Sequence, residues 1–145
     1  MLRLNNSQIT CFGRHQSKLQ LLQKIGIETR TQITPDDESK FDIVVEATGS
    51  ESGFSDTMRL VKPRGTTVLK STIASKNKLD FAPAIINEIT IIGSRCGPFR
   101  PAINALASGL VPVDDLVSAV YPMSEYQKAF EEAAKSESLK ILLAP

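Results

Sequence analysis

The chain has 145 residues and a net charge of +1, from 17 basic and 16 acidic side chains; this length fits one domain, and the charge balance argues against a nucleic-acid or anionic-membrane partner. Hydrophobic residues make up 41% and charged residues 23%, a balance that permits a globular core. No stretch approaches the roughly 18 apolar residues of a membrane span, and the start MLRLNNSQIT lacks the apolar core of a signal peptide, so we expect a cytoplasmic protein.

The first half of the chain alternates apolar runs with helical patterns, which predict strands and helices in turn. We predict strands at Gln8–Phe12, Ile27–Thr31 and Phe41–Ala47, and helices at Ser17–Ile25 and Ser52–Val61. Gly26 stands in the C-cap position of the first helix, and the polar segment Thr34–Lys40 is typical of a loop. The run FDIVVEA is β-branched and almost continuously apolar, which is typical of a parallel strand covered on both faces.

The second half continues the same alternation after a break at Lys62–Gly65. We predict strands at Gly65–Leu69, Ile89–Gly93, Val117–Tyr121 and Lys140–Leu143, and helices at Phe81–Asn87, Pro101–Ser108 and Ser124–Lys135. Ser124 and Gln127 match a capping box, followed by an apolar stripe of Tyr126, Ala129, Phe130 and Ala133. Strands and helices in this order predict an α/β fold with a doubly wound parallel sheet and helices on both faces.

Cysteine and histidine usage limits the metal chemistry. The chain contains two cysteines, Cys11 and Cys96, and one histidine, His15, so a four-ligand structural zinc site is excluded on ligand count. A histidine-based catalytic triad has only one candidate base. Each cysteine lies in or beside an apolar run, which predicts a small buried hydrophobic side chain. We therefore expect no metal site and no catalytic residue in this chain.

Parallel sheets of this type bind ligands at the carboxyl ends of their strands. The candidate site residues are therefore those that directly follow the predicted strands, namely Gly13–Lys18, Thr48–Ser50, Lys70–Thr72 and Ser94–Phe99. Each of these residues also has an explanation that needs no ligand. The cations could simply be solvated, the glycine could belong to a turn, and the serine could cap a helix.

Three segments together resemble the cofactor-binding half of the medium-chain dehydrogenase/reductases, the zinc-type alcohol dehydrogenase superfamily. The first is GRHQSKLQLLQKIGIE, and the second is FDIVVEATGS followed by LVKPRGTTVLKST. The third is NEITIIGSRCGPFRPAINALASGLV, continuing through YPMSEYQKAFEEAAKSESLKILL. The resemblance is collinear and covers nearly the whole chain.

The resemblance implies a truncated Rossmann-type sheet. Leu2-Arg3-Leu4 resembles the last turn of the family's first helix, so we expect the chain to lack the first strand and its glycine-rich loop. It would also lack the N-terminal catalytic domain that carries the zinc ligands. Residues 1–112 would form a partial NAD(P)-binding domain, and residues 113–145 a strand–helix–strand segment that normally packs with the absent catalytic domain.

The resemblance places the family's ribose-binding acid at Gly13. An acid there would repel a 2′-phosphate, whereas a glycine leaves space and Arg14 can grip a phosphate with its guanidinium fork. Lys18 would add a second charge, and His15 could stack on adenine or bond the phosphate, although it could equally be an exposed loop residue. We therefore expect NADP rather than NAD as the cofactor.

Further residues correspond to cofactor-binding positions of the family. Thr48 and Gly49 would pass the adenosine ribose, and Lys140 would face the pyrophosphate unless it is an ordinary surface lysine. The loops that flank the nicotinamide would include Lys70, Ser71, Thr72, Ser94 and Arg95. Glu46 lies on a strand and must be paired or near the ligand, but it receives no role from the sequence.

A missing central strand has structural consequences. Buried N–H and C=O groups left unpaired would each cost about 1–3 kcal/mol. We therefore expect Gln8–Phe12 and Phe41–Ala47 either to pair directly or to pair with a strand of another chain. The resemblance also implies a homo-oligomer through the apolar edge strand Ile89–Gly93, which would be an aggregation hazard if left open.

Three functions compete. The first is the cofactor-binding portion of an NADP(H)-dependent, zinc-type alcohol dehydrogenase-like oxidoreductase, inactive as an isolated chain. The second is a non-catalytic nucleotide-binding or dimerisation module. The third is another doubly wound enzyme such as a methyltransferase, which commonly needs an acid where this chain has Gly13 and Arg14.

Overall fold

The computed structural model describes residues 7–72 and 79–145. It contains parallel strands connected by helices, which confirms the predicted α/β class. The strands are β1 (Thr10–Phe12), β2 (Glu28–Arg30), β3 (Phe41–Glu46), β4 (Val61–Leu69), β5 (Thr90–Gly93), β6 (Val117–Pro122) and β7 (Lys140–Ala144). The helices are α1 (Gln16–Lys24), α2 (Gly53–Leu60), α3 (Ala82–Ile86), α4 (Phe99–Ala107) and α5 (Tyr126–Ala133). None of the helices within these ranges is long and apolar enough to cross a membrane.

The chain forms two compact units, one made of residues 1–32 and 98–145 and the other of residues 33–97. We call them the first and the second unit. In the first unit β1 pairs with β2 and β6 pairs with β7, both in parallel. Gly26 follows α1 with a φ of 77°, a left-handed conformation that glycine adopts at little cost and that ends the helix as predicted.

The second unit holds a three-stranded parallel sheet in the order β3-β4-β5. Its core consists of Phe54, Met58 and Ala84, which pack against partly buried side chains of the sheet. The rings of Phe54 and Phe81 lie 5.2 Å apart, centroid to centroid, which ties α2 to the start of α3. The helices thus cover one face of the sheet and leave the carboxyl ends of its strands accessible.

The break predicted between α2 and the next strand is a bulge inside β4. Phe41 pairs with Val61, but Ile43 pairs with Thr66, so Lys62–Gly65 bulges out of the ladder. The expectation that β3 is covered on both faces is wrong, because Ile43 is 64% exposed while Glu46 is buried.

The capping box predicted at Ser124 is also wrong. Met123–Glu125 forms a short 3-10 turn, so α5 begins only at Tyr126 and Glu125 occupies the N-cap position without a side-chain cap. Of the predicted apolar stripe, Ala129 is buried, whereas Tyr126 and Phe130 are exposed. The prediction of two buried cysteines is wrong for Cys96, which is exposed, and Cys11 is only half-buried.

Among the described residues, the strands around the expected gap belong to separate sheets. β1 lies in a two-stranded sheet with β2, and β3 forms the end of the three-stranded sheet. Direct pairing of the segments Gln8–Phe12 and Phe41–Ala47, one of our two expectations, is therefore wrong for this part of the chain. Pairing with another chain stays a prediction, and the expected helical turn at 2–4 lies outside the described residues.

Candidate functional site at the carboxyl ends of the strands

The carboxyl ends of β3, β4 and β5 bring six of the predicted site residues to one edge of the second unit. Main-chain bonds continue the ladder beyond the strands: Lys70 N donates to Glu46 O at 2.9 Å, and Ser94 N donates to Leu69 O at 2.9 Å. The predicted residues at this edge are Thr48, Gly49, Lys70, Ser71, Ser94 and Arg95. We call this set the carboxyl edge. Thr72 follows it as an exposed residue.

A buried acid lies beneath the carboxyl edge. Glu46, the last residue of β3, is only 4% exposed, and its Oε1 accepts hydrogen bonds from Thr48 N and Thr48 Oγ1, both at 2.7 Å. Burial raises the pKa of this carboxyl, but hydrogen bonds from Thr48, Ser71 and Gly49 outweigh it, and the net pKa lies below the ordinary 4.5. Glu46 is therefore ionised at neutral pH.

Gly53, the first residue of α2, lies directly against this carboxylate. A Cβ at Gly53 would come within 2.6 Å of Glu46 Oε1 and even closer to Thr48 Oγ1, so only glycine fits here without displacing them. The start of α2, where main-chain N–H groups and the helix dipole favour negative charge, is thereby packed on the acid.

The turn after β3 is hydrogen-bonded to the turn after β4, and the described residues leave the backbone of its Gly49 uncovered. Gly49 has a φ of 64°, and its N–H donates to Ser71 Oγ at 2.9 Å. Within residues 7–72 and 79–145, and apart from its chain neighbours, no atom lies within 4 Å of the place where a Cβ of Gly49 would be, so this part of the structure lets a ligand approach its backbone closely. The ammonium of Lys70 donates to Ser94 Oγ at 3.4 Å and to Arg95 O at 3.3 Å, which places a cation at the same edge.

In the first unit, the residues after β1 form a tight corner. Gly13 N donates to Arg30 O at 3.0 Å, and a Cβ at Gly13 would lie 3.1 Å from the buried side chain of Leu19. Packing against Leu19 thus favours a glycine here independently of any ligand. Arg14 follows it as an exposed side chain, and exposed His15 occupies the N-cap of α1 without a side-chain cap.

Lys18 points toward the turn that precedes β7. Its Nζ donates to Ser138 O at 3.3 Å, and the neighbouring Ser17 Oγ donates to Glu137 Oε2 at 3.2 Å. Lys140 begins β7 two residues after Ser138 and is exposed. The first unit therefore brings Lys18 to the turn that leads to Lys140, and Lys18 already has a carbonyl partner.

Sequence reasoning gave no role to two residues that lie against the carboxyl edge, Glu46 and Gly53. Glu46 could have been found as the acid that ends the strand Phe41–Glu46, two residues before Thr48. Nothing in the sequence around Gly53 indicates a role, because its close contacts with Glu46 and Thr48 arise only when α2 packs on the sheet. Within residues 7–72 and 79–145, no group of three or more His, Cys, Asp or Glu side chains could hold a metal ion.

Comparisons with known proteins identify the family. The family described as Glucose dehydrogenase C-terminus matches residues 1–144. D-arabinitol dehydrogenase 1 of Uromyces fabae is 35% identical over 163 aligned positions, which cover 100% of this chain and 47% of that protein. The chain thus spans about half the length of this curated relative.

Two solved structures share the fold. One is a protein of Sinorhizobium meliloti 1021, described as a zinc-binding dehydrogenase and bound to NADP, with a TM-score of 0.83 and 21% identity, covering 96% of this chain and 45% of that chain. The other is a protein of Escherichia coli CFT073, described as a short chain alcohol dehydrogenase and complexed with NADH, with a TM-score of 0.81 and 16% identity, covering 97% of this chain and 45% of that chain. At these sequence identities, the similarity establishes a shared fold only.

The collinear match along residues 1–144 and the parallel α/β architecture agree with the resemblance read from the sequence. The chain belongs to the Glucose dehydrogenase C-terminus family. It corresponds to the C-terminal region of proteins of the medium-chain dehydrogenase/reductase superfamily, the zinc-type alcohol dehydrogenases.

Proposed function

We propose that this chain is the cofactor-binding portion of an NADP(H)-dependent, zinc-type alcohol dehydrogenase-like oxidoreductase. The observation that carries the proposal is the carboxyl edge, where Gly49 N donates to Ser71 Oγ and the ammonium of Lys70 donates to Ser94 Oγ. Parallel α/β sheets bind nucleotides at this end of their strands. The residues that would contact the dinucleotide here are Thr48, Gly49, Lys70, Ser71, Thr72, Ser94 and Arg95.

The preference for NADP rests on the corner after β1. Arg14 is exposed, directly follows Gly13, and has the planar fork that binds phosphate oxygens in pairs. His15 and Lys18 would assist, although Lys18 would have to exchange its bond to Ser138 O for the phosphate. Lys140 would serve the pyrophosphate. The absence of an acid at Gly13 removes the repulsion that favours NAD in related folds.

Titration of the 145-residue chain with NADP and with NAD tests the proposal. We expect NADP to bind more tightly, and we expect Arg14→Ala to weaken NADP binding by about 10- to 100-fold while leaving NAD binding nearly unchanged. Lys24→Ala is the matched control, because Lys24 is an exposed cation at the end of α1, the helix that begins just after Arg14. Equal loss for NADP in both variants, or no selectivity in the wild type, would refute the role of Arg14.

The parent protein would transfer hydride between the nicotinamide and an alcohol or carbonyl carbon, with zinc polarising the oxygen when bound. The described residues of this chain do not supply a set of zinc ligands, so no step at zinc is assigned to them. We expect the isolated chain to be inactive toward alcohols. A cytoplasmic location and the domain boundary at residue 112 stay predictions of the sequence.

A second candidate, a non-catalytic nucleotide-binding or dimerisation module, is favoured by the position of β5. This strand ends the three-stranded sheet, and Ile92 on it is 48% exposed. An open apolar edge promotes pairing between sheets, so we propose a homo-oligomer through Ile89–Gly93. Sedimentation of the chain at high concentration should show a dimer or larger species; a monomer under those conditions would contradict this.

A further inference from the structure

Glu46 is bonded to the turn that follows β3. Thr48, in that turn, donates from its N–H and its hydroxyl to Glu46 Oε1, both at 2.7 Å. The next residue, Gly49, donates its N–H to Ser71 Oγ, in the turn after β4, at 2.9 Å. The carboxylate therefore holds Thr48 directly, and Gly49 lies between Thr48 and its own bond to Ser71.

A buried carboxylate at position 46 carries a large desolvation cost. Burial of an unpaired carboxylate costs several kcal/mol, so an apolar side chain would serve packing better. The cost is offset only while the N–H and the hydroxyl of Thr48 point at the carboxylate. Movement of the turn after β3 removes these donors from an ionised group, which makes Glu46 sensitive to the placement of that turn.

The packing of α2 restrains the carboxylate from the other side. Because Gly53 leaves no room for a Cβ beside Glu46 Oε1, the start of the helix limits movement of the acid toward it. Gly49, the residue after Thr48, has a φ of 64° and a backbone face that the described residues leave open. A buried, hydrogen-bonded carboxylate is thus bonded to the residue that precedes this open backbone.

We propose that Glu46 is a positioning residue of the dinucleotide site, which acts through Thr48 to fix the backbone face of the adjacent Gly49 against which the dinucleotide lies. This inference rests on the proposed function for its ligand. It also makes a claim that needs no ligand: the ionisation of Glu46 controls the environment of the Gly49 amide.

The experiment compares the ¹⁵N-labelled chain with Glu46→Gln and with the control Glu51→Gln, which changes an exposed acid in the same loop. In the wild type, the Gly49 amide shift should titrate with a midpoint below 4.5, because hydrogen bonds hold the pKa of Glu46 below that value. Glu46→Gln should abolish this step, and Glu51→Gln should retain it. A wild-type Gly49 amide that does not titrate, or a step that persists in Glu46→Gln, would overturn the inference.

Dinucleotide affinity is the second readout. At pH 7 we expect Glu46→Gln to bind NADP about tenfold more weakly than the wild type, and Glu51→Gln to stay within about twofold. The ratio of wild-type to Glu46→Gln affinity should fall toward one as the pH drops through the Gly49 midpoint, which a purely structural defect would not produce. Equal affinities at pH 7, or a ratio independent of pH, would overturn the inference.

Failure of the proposed function gives a different pattern. A wild-type chain that binds neither NADP nor NAD refutes the dinucleotide role, while the Gly49 titration still decides whether Glu46 holds the turn. If Glu46→Gln does not fold, Thr48→Ala replaces it, since it removes the hydroxyl that donates to Glu46 Oε1 at 2.7 Å and keeps the charge. That variant should shift the Gly49 amide and weaken NADP binding about threefold; an unchanged amide and affinity would refute the inference.

Discussion

Gly53→Ala tests the packing of α2 on the buried acid. Replacement of a helical glycine by alanine normally stabilises a helix by up to about 1 kcal/mol. Here the new Cβ would lie 2.6 Å from Glu46 Oε1 and closer still to Thr48 Oγ1, so these atoms must move. Two hydrogen bonds of 2.7 Å from Thr48 to the carboxylate are then weakened. Each is worth about 1.5–3 kcal/mol because its acceptor is charged, so we expect a net loss of about 2–4 kcal/mol.

The assay must report on the second unit. Both tyrosines, Tyr121 and Tyr126, lie outside residues 33–97, and the chain contains no tryptophan, so intrinsic fluorescence is insensitive to this unit. Amide hydrogen exchange of the β3–β4 ladder measures its opening free energy directly. Gly97→Ala is the matched control, because in the part of the chain that the structure describes only its chain neighbours lie within 4 Å of a Cβ built there, and its effect should stay within about 0.5 kcal/mol.

Two outcomes would refute this reasoning. One is a Gly53→Ala variant as stable as the wild type, or more stable, in which case helix propensity outweighs the contact. The other is a loss that is undiminished when Glu46 is replaced by alanine in the same chain. If the two sites are coupled as the structure indicates, the Gly53→Ala loss should shrink in the Glu46→Ala background by at least about 1 kcal/mol.

Three further predictions concern other buried or reactive groups. Thr67 Oγ1 is buried with no hydrogen-bond partner in the described structure, so Thr67→Val should stabilise the second unit by about 1 kcal/mol in the same exchange assay, and a destabilised variant would contradict this. Because the folded pKa of Glu46 lies below 4.5, its stabilising contribution is full above the unfolded value and is lost as the pH falls through the folded pKa. The stability difference between wild type and Glu46→Gln should therefore shrink on acidification from pH 6 to 3, and a constant difference would exclude this linkage. Cys96 is exposed, whereas burial raises the pKa of Cys11, so a thiol reagent at pH 8 should modify Cys96 first; faster labelling of Cys11 would count against these environments.

The local sequence was sufficient for most of the elements. The apolar run Phe41–Ala47 and the alternation of strands and helices predicted parallel strands, which the sheet pairings confirm. Gly26 marked the end of α1 because it takes a left-handed conformation that glycine adopts without strain. The start of α5 could not be predicted in the same way, since a 3-10 turn competes with the capping box for Ser124.

The sequence by itself determined the class of fold, the family, and the segments that follow each strand, because periodicity and turn residues are local properties of the chain. Only the tertiary structure decided how the residues of those segments are bonded. The ionised state of Glu46 depends on donors from Thr48 and Ser71, which lie after different strands, and the need for glycine at position 53 depends on how α2 packs on them. Hydrogen bonds and close contacts between residues far apart in sequence have no local signature, since they exist only once the strands are side by side.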